Sequence, residues 1–365
     1  MKNVLIFSNP FGYGPSGKAI SIAEYLSDHS SKINIVICGS KHLRSIASGK
    51  FDFREIDDRD ENSITEVLNS ISGRKYVVSS QNRFAIRSAK KCNIPSAFLD
   101  GLSWFWREIP EEHFLADIIF WINYPGIKNK IPASQKNKII LVGGITEDVK
   151  KSNLIKRNGI EFYLGGCKNP LAPIPRHYLD LSANLLNLAI AKSLVNGIST
   201  DRKSQEYLKK YPTVSKKIKI SSHTDFIKRI AGPELFITNG GQTAASEAAA
   251  LNTPISFLLP MNLSQESLIN KVLLENKDYP ALSWSKYIKP PSNLFSYSEK
   301  RALGYYDAAS KSILEDKKKL SLLRRDFLQM LSQGKNTELP KILKGLGSTG
   351  AKNIFDALEK KWNLT

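Results

Sequence analysis

At 365 residues the chain is too long for one ordinary domain and comfortable for two. A composition of 41% hydrophobic and 24% charged residues is globular, and it excludes collagen-like and wholly disordered chains. No apolar run approaches the roughly 20 residues of a membrane helix, and the run after Asn3 is too short for a secretory signal. Cys38, Cys92 and Cys167 lie far apart and the five histidines are scattered, so neither a disulfide framework nor a metal cluster is expected; the setting reads as soluble, reducing and cytoplasmic. The 53 basic residues exceed the 34 acidic ones by 19, in both halves of the chain. Such an excess favours anionic partners (nucleotides, a phospholipid surface, nucleic acid), set against the plainer role of keeping a protein in solution.

In chain order, Asn3-Val-Leu-Ile-Phe-Ser8 is a continuous apolar run of the kind that forms a strand buried on both faces. A Gly-rich turn and an amphipathic helix over 18–26 follow. Further strands are expected at 33–38, 76–79, 96–99, 118–122 and 139–142, with helical patterns between several of them. This alternation makes residues 1–145 a doubly wound α/β domain with a parallel sheet. Residues 146–159 are polar and basic, a linker candidate. The pattern then restarts over 160–345, with strands at 160–164, 217–220, 235–238 and 255–259. Helices are expected at 178–194 and 244–251, then a helical tail over 308–330 and a helix within 350–365.

Two Gly-rich turns follow strands and open helices, a geometry that gathers backbone N–H groups and the positive end of a helix dipole at one point and suits a phosphate. The first is Gly12-x-Gly14-x-x-Gly17 followed by Lys18; the second is Gly240-Gly241-Gln242-Thr243. The first lacks the spacing of a P-loop and the acidic residue of a dinucleotide fold. The second sits in a longer pattern, Glu234-Leu-Phe-Ile-Thr-Asn-Gly-Gly-Gln-Thr-Ala-Ala-Ser-Glu247, which continues to Gln265. Glu247 lies one helical turn after Thr243 on the same face, and Gln265 follows a strand and turn at the sheet's carboxyl edge.

The 234–265 pattern resembles the donor site of GT-B nucleotide-sugar glycosyltransferases. The likeness is to the peptidoglycan lipid-intermediate glucosaminyltransferases and to the macrolide and plant UDP-glycosyltransferases. The resemblance implies two doubly wound Rossmann-like domains facing each other across a cleft, with the C-terminal helix returning to the first. It implies a nucleotide diphosphate sugar, UDP-linked, as co-substrate and no further cofactor. Asn239, Gly240, Gly241, Gln242 and Thr243 would then hold the donor diphosphate, with Gly165 and Gly166 of Phe162-Tyr-Leu-Gly-Gly beside it. Glu247 would grip the ribose, Gln265 the sugar, and His223 and Phe226 of Ser221-Ser-His-Thr-Asp-Phe the base. Gly12, Gly14, Ser16, Gly17 and Lys18 would form the acceptor-side loop. A place at the inner membrane face is compatible with the charge.

Three positions depart from the family pattern. Pro15 stands where many members carry the basic His, Asn239 replaces a His before Gly-Gly, and Ser264 replaces the acidic partner of Gln265. Asp100, after the strand Pro95-Ser-Ala-Phe-Leu99, is the expected base toward an acceptor hydroxyl, with His113 the alternative and a turn-capping Asp the plain reading. Trp104-Phe105-Trp106 lines an acceptor pocket or packs a core. An inverting glycosyltransferase is expected, because the spaced acidic pair of the main retaining group is absent. The other readings are a nucleotide-sugar hydrolase or epimerase on the same fold, and a non-catalytic basic module binding nucleic acid or a membrane surface.

Overall fold

The computed structural model describes residues 2–47, 49–146, 157–167, 172–220 and 222–364. Most of the linker expected over 146–159 (residues 147–156) and Ser221 of the base-binding stretch lie outside the described residues. The chain divides into two compact units: Met1–Val149 with Ser222–Thr224 and Gly345–Thr365, and Lys150–Ser221 with Asp225–Lys344.

The first unit is built on β1 (Lys2–Ser8), β2 (Ile33–Gly39), β3 (Asp52–Glu55), β4 (Arg74–Ser80), β5 (Ser96–Asp100), β6 (Ile118–Ile122) and β7 (Ile139–Val142). All neighbours pair parallel in the order β3-β2-β1-β4-β5-β6-β7. The inner strands are apolar without interruption because helices cover both faces. Leu5, Phe7, Val77, Phe98, Ile119 and Trp121 pack with Ile64 and Leu68 of the helix Glu61–Ser70 and Ala85 and Ile86 of the helix Arg83–Lys91. The helix Gly350–Trp362 packs against the helix Gly14–His29. The Trp362 ring stacks on Tyr76, centroids 4.8 Å apart, and Tyr76 Oη donates to the Trp362 carbonyl at 3.1 Å. Gly144 N donates to Leu346 O at 2.9 Å and Gly350 N to Gly144 O at 2.8 Å; a Cβ on Gly144 would lie 2.4 Å from Gly347 O, so the two segments meet backbone to backbone.

The second unit repeats the plan with β8 (Ile160–Leu164), β9 (Val195–Thr200), β10 (Ile218–Lys219), β11 (Leu235–Thr238) and β12 (Ile255–Phe257), all parallel in the order β10-β9-β8-β11-β12. β3 and β9 are additions to the expected strands. The helical tail differs from expectation. It is two helices, Glu299–Glu315 and Lys317–Gly334, divided at Asp316, whose carboxylate caps the second by accepting from Lys318 N and Lys319 N.

In each sheet the strand order reverses beside the first strand, between β1 and β4 and between β8 and β11. Open parallel sheets bind ligands outside the carboxyl ends of their strands at such a switch point. Both Gly-rich turns lie at these carboxyl ends.

Candidate functional site

In the second unit β8 runs into Gly165–Gly166. Gly166 has φ +83°, a left-handed conformation open to glycine, and a Cβ on Gly165 would collide with the Tyr163 ring at 2.1 Å. β11 runs into Asn239, which is fully buried, and its Nδ2 donates to Gly165 O at 2.9 Å, tying the two turns together. Gly240 has φ +84°, and a Cβ there would meet Gln265 O at 3.1 Å and Ile269 at 3.2 Å. Gly241 opens the helix Gln242–Ala250 and offers no side-chain cap, so the first-turn N–H groups face the turn without an acceptor from the N-cap residue. Thr238 Oγ1 is buried there with no hydrogen-bond partner.

The structure thus brings Gly165, Gly166, Asn239, Gly240, Gly241 and Gln265 together. Gln265 Oε1 accepts from Met261 N at 2.9 Å, which leaves the amide nitrogen as its outward donor, directed toward Gly166. Gln242, Thr243 and Glu247 follow on one buried, alanine-rich helix; Glu247 is 2% exposed. Phe226 is buried and its ring packs on Tyr163 at 4.9 Å and Phe236 at 6.1 Å, so it is already engaged by the sheet; His223 opens the helix His223–Ala231 and is buried.

Sequence reasoning missed Glu266. Ser264 serves the N-cap, its Oγ donating to Asn262 Oδ1 at 2.9 Å. The carboxylate beside Gln265 is instead Glu266, buried and accepting from Tyr306 Oη, and burial pushes its carboxyl above the usual carboxylate range. The Gln-Glu pair could have been noticed in sequence, but the tyrosine comes from a helix 40 residues away.

In the first unit Gly12 has φ +64° and the helix begins at Gly14 with Pro15 in its first turn, where a missing N–H costs nothing. Ser16 Oγ lies 3.0 Å from Ser8 Oγ, and Gly17 N donates to Tyr13 O at 2.8 Å. Lys18 is 3% exposed, and its Nζ would lie 3.5 Å from a Cβ placed on Gly101. The turn is anchored by a residue that sequence reasoning passed over: His42 Nε2 hydrogen-bonds to Gly12 O at 2.6 Å while its ring stacks on Tyr13 at 4.4 Å.

Asp100, the expected base, ends β5 at the carboxyl edge of the first sheet. It is fully buried, and its carboxylate accepts from Leu102 N (2.8 Å), Trp106 Nε1 (3.1 Å) and His113 Nδ1 (3.0 Å). These contacts fix the His113 ring, which also rests on Phe98 at 4.7 Å. Trp104 packs edge-on against Phe105 and Tyr124, and Trp106 against Phe105 and His113, so the three rings brace this loop. Among the described residues no group of three or more His, Cys, Asp or Glu is placed to hold a metal ion, and no helix is long and apolar enough to cross a membrane.

No protein-family model matches the chain and no curated protein matches it by sequence. Solved structures match along its whole length. The S. aureus MnaA–UDP co-structure has a TM-score of 0.54 at 13% identity, covering 100% of this chain and 97% of that one. Os79 from O. sativa in complex with U2F and trichothecene gives 0.54 at 11%, over 98% and 100%. The Methanocaldococcus jannaschii UDP-GlcNAc 2-epimerase in complex with UDP-GlcNAc and UDP gives 0.53 at 15%, over 99% and 100%. At these identities the likeness is one of fold, and the fold of this chain is the GT-B fold of nucleotide-sugar enzymes.

Proposed function

We propose that the protein is an inverting glycosyltransferase that moves a sugar from a UDP-linked donor, bound by the second unit, to an acceptor bound by the first. The observation that carries this reading is the uncapped helix Gln242–Ala250, opening from Gly240–Gly241 at the switch point and linked through Asn239 to Gly165. The N–H groups and dipole of that helix stabilise the charge that grows on a departing diphosphate, without a proton transfer. Glu247, one turn on, holds the ribose hydroxyls. The Gln265 amide nitrogen donates to the sugar, and Phe226 borders the base. On the acceptor side His113, oriented through Nδ1 by Asp100, takes the proton of the attacking hydroxyl, and Asp100 stabilises the imidazolium that forms.

Calorimetric titration with a panel of nucleoside diphosphates tests the donor assignment. UDP is expected to bind, and Glu247→Ala to weaken it at least about ten-fold, the equivalent of about 1.4 kcal/mol. Binding by none of the panel, or binding indifferent to Glu247, would sink it. A second reading, acceptor-independent hydrolysis or epimerisation, is favoured by Pro15 in place of the usual base and by the likeness in fold to the Methanocaldococcus jannaschii UDP-GlcNAc 2-epimerase. Incubation with UDP-GlcNAc alone, followed by NMR, separates the two: rapid consumption without an acceptor selects the second.

A further inference from the structure

We propose that a helical face of the second unit binds nucleic acid through its phosphate backbone, a role that goes beyond the transferase reading and does not depend on it. Charge is divided unequally between the two units. The second holds 31 basic and 16 acidic residues, a net +15, and the first holds 22 and 18, a net +4. The donor turn does not explain the difference, because residues 230–270 contain Glu234, Glu247 and Glu266 and no Lys or Arg. The excess gathers instead in two stretches. Residues 202–219 carry seven Lys or Arg against Glu206 alone, and residues 317–325 carry five and no acidic residue.

The fold brings these stretches to one helix. The helix Arg176–Ala191 presents Asp180 and Asn184 one turn apart on the same side. Asp180 Oδ1 accepts from Lys210 Nζ at 2.8 Å, and Asn184 Oδ1 accepts from Arg324 Nε at 2.8 Å, so both stretches border the same face. Arg202, Lys203, Lys216, Lys317 and Lys318 are exposed and meet no carboxylate within ion-pair distance among the described residues. In the first unit, by contrast, Arg83, Arg87 and Lys91 of one helix are all paired with Glu61 or Glu112. Lys317, Lys318 and Lys319 also fill the first turn of the helix Lys317–Gly334, the positive end of its dipole, where cations cost stability. Solubility does not require that placement, and a bound polyanion offsets its cost. What the face lacks identifies the partner. Among the described residues the large exposed apolar side chains are Ile140, Leu141, Ile220, Leu274 and Phe295, and none belongs to these helices. Firm attachment to a bilayer combines charge with buried apolar surface, whereas a nucleic acid offers closely spaced phosphates that charge alone can hold.

The test uses the whole protein and fluorescence anisotropy, with a DNA duplex and an RNA strand of about 20 units each, at about 50 and about 200 mM KCl. Binding to either is expected at the lower salt, with a loss of at least about a hundred-fold at the higher, as counterion release from about four phosphates requires. Arg202→Glu with Lys203→Glu, and Lys317→Glu with Lys318→Glu, are each expected to weaken binding at least about ten-fold and to flatten the salt dependence. The second pair is also expected to raise the melting temperature, because it places anions at a helix amino end, so its loss of binding is not a loss of folding. Lys128→Glu with Lys130→Glu, the same change of charge on a loop of the first unit, is expected to hold affinity within about three-fold. No binding at the lower salt, or binding that the helix reversals leave unchanged, overturns the face, as do equal losses in the loop control. Flotation on phosphatidylglycerol vesicles that the helix reversals abolish, without nucleic-acid binding, gives the face to a membrane and overturns the partner. UDP titration of the same variants reads the donor turn separately, and failure of UDP to bind would overturn the donor reading alone.

Discussion

The helix after β4 and the helix after β11 occupy the same slot in the two sheets, each beginning where the fourth strand of its sheet ends beside the first. Their amino ends are finished differently. Asn82 closes the first: its Oδ1 accepts from Ala85 N at 3.2 Å, and its Nδ2 donates to Ser8 O and Asp58 O at 3.2 and 2.8 Å. Gly241 leaves the second open. Topology alone therefore supplies a place where a ligand can bind, and the N-cap residue decides whether the protein fills that place itself. The helix Gly14–His29 belongs with the open kind.

Closing the open turn is the most severe challenge to this comparison. Gly241 has φ −61°, and a Cβ there meets nothing nearer than 3.9 Å, so Gly241→Asp fits the backbone. It is expected to cap the helix and repel a diphosphate, lowering UDP affinity at least about a hundred-fold while thermal stability holds or rises. Retained UDP binding in calorimetry would break the equivalence of an open cap with a donor site. Opening the closed turn is the reciprocal test. Asn82→Ala removes a cap and two buried hydrogen bonds, and urea denaturation is expected to show a loss of about 2 kcal/mol with UDP affinity unchanged.

The smallest expected effect sharpens the donor side. Glu266 has a folded pKa above the ordinary carboxylate value of 4.5. In the pH interval just above that value the folded protein keeps a proton that the unfolded chain releases, so stability falls as pH rises through it. Glu266→Gln, which can still pair with Tyr306, should flatten that slope in melts taken between acid and neutral pH.

The inner strands were legible in the sequence because burial on both faces leaves an unbroken apolar run, as in Val4 to Phe7 and Ile118 to Ile122. β3 was not: Asp52-Phe-Arg-Glu55 is a half-exposed edge, with no apolar run to mark it. β9 contains Asn196-Gly197, which reads as a turn; in the fold Gly197 faces the Glu161–Arg229 ion pair, where a Cβ would clash. The donor turn was readable because glycines and their helix are contiguous. The Asp100–His113 pair, the His42 anchor and the Ser8–Ser80 register were not, since each needs the strand order before the partners can be known. Asp100 stands out in the sequence as a carboxylate at the end of a buried strand, but its three donors do not, because Leu102 N, Trp106 and His113 reach it only once the following loop has folded back.

The helix Gly350–Trp362 has a consequence for synthesis. Its Trp362 covers Tyr76 of the first sheet, yet it leaves the ribosome only after all of Lys150–Ser221 and Asp225–Lys344. The second unit is nearly continuous in sequence and can fold as it emerges. The first keeps Tyr76 without its Trp362 partner until that helix arrives, so the unit whose strands are made first is the one whose packing is completed last.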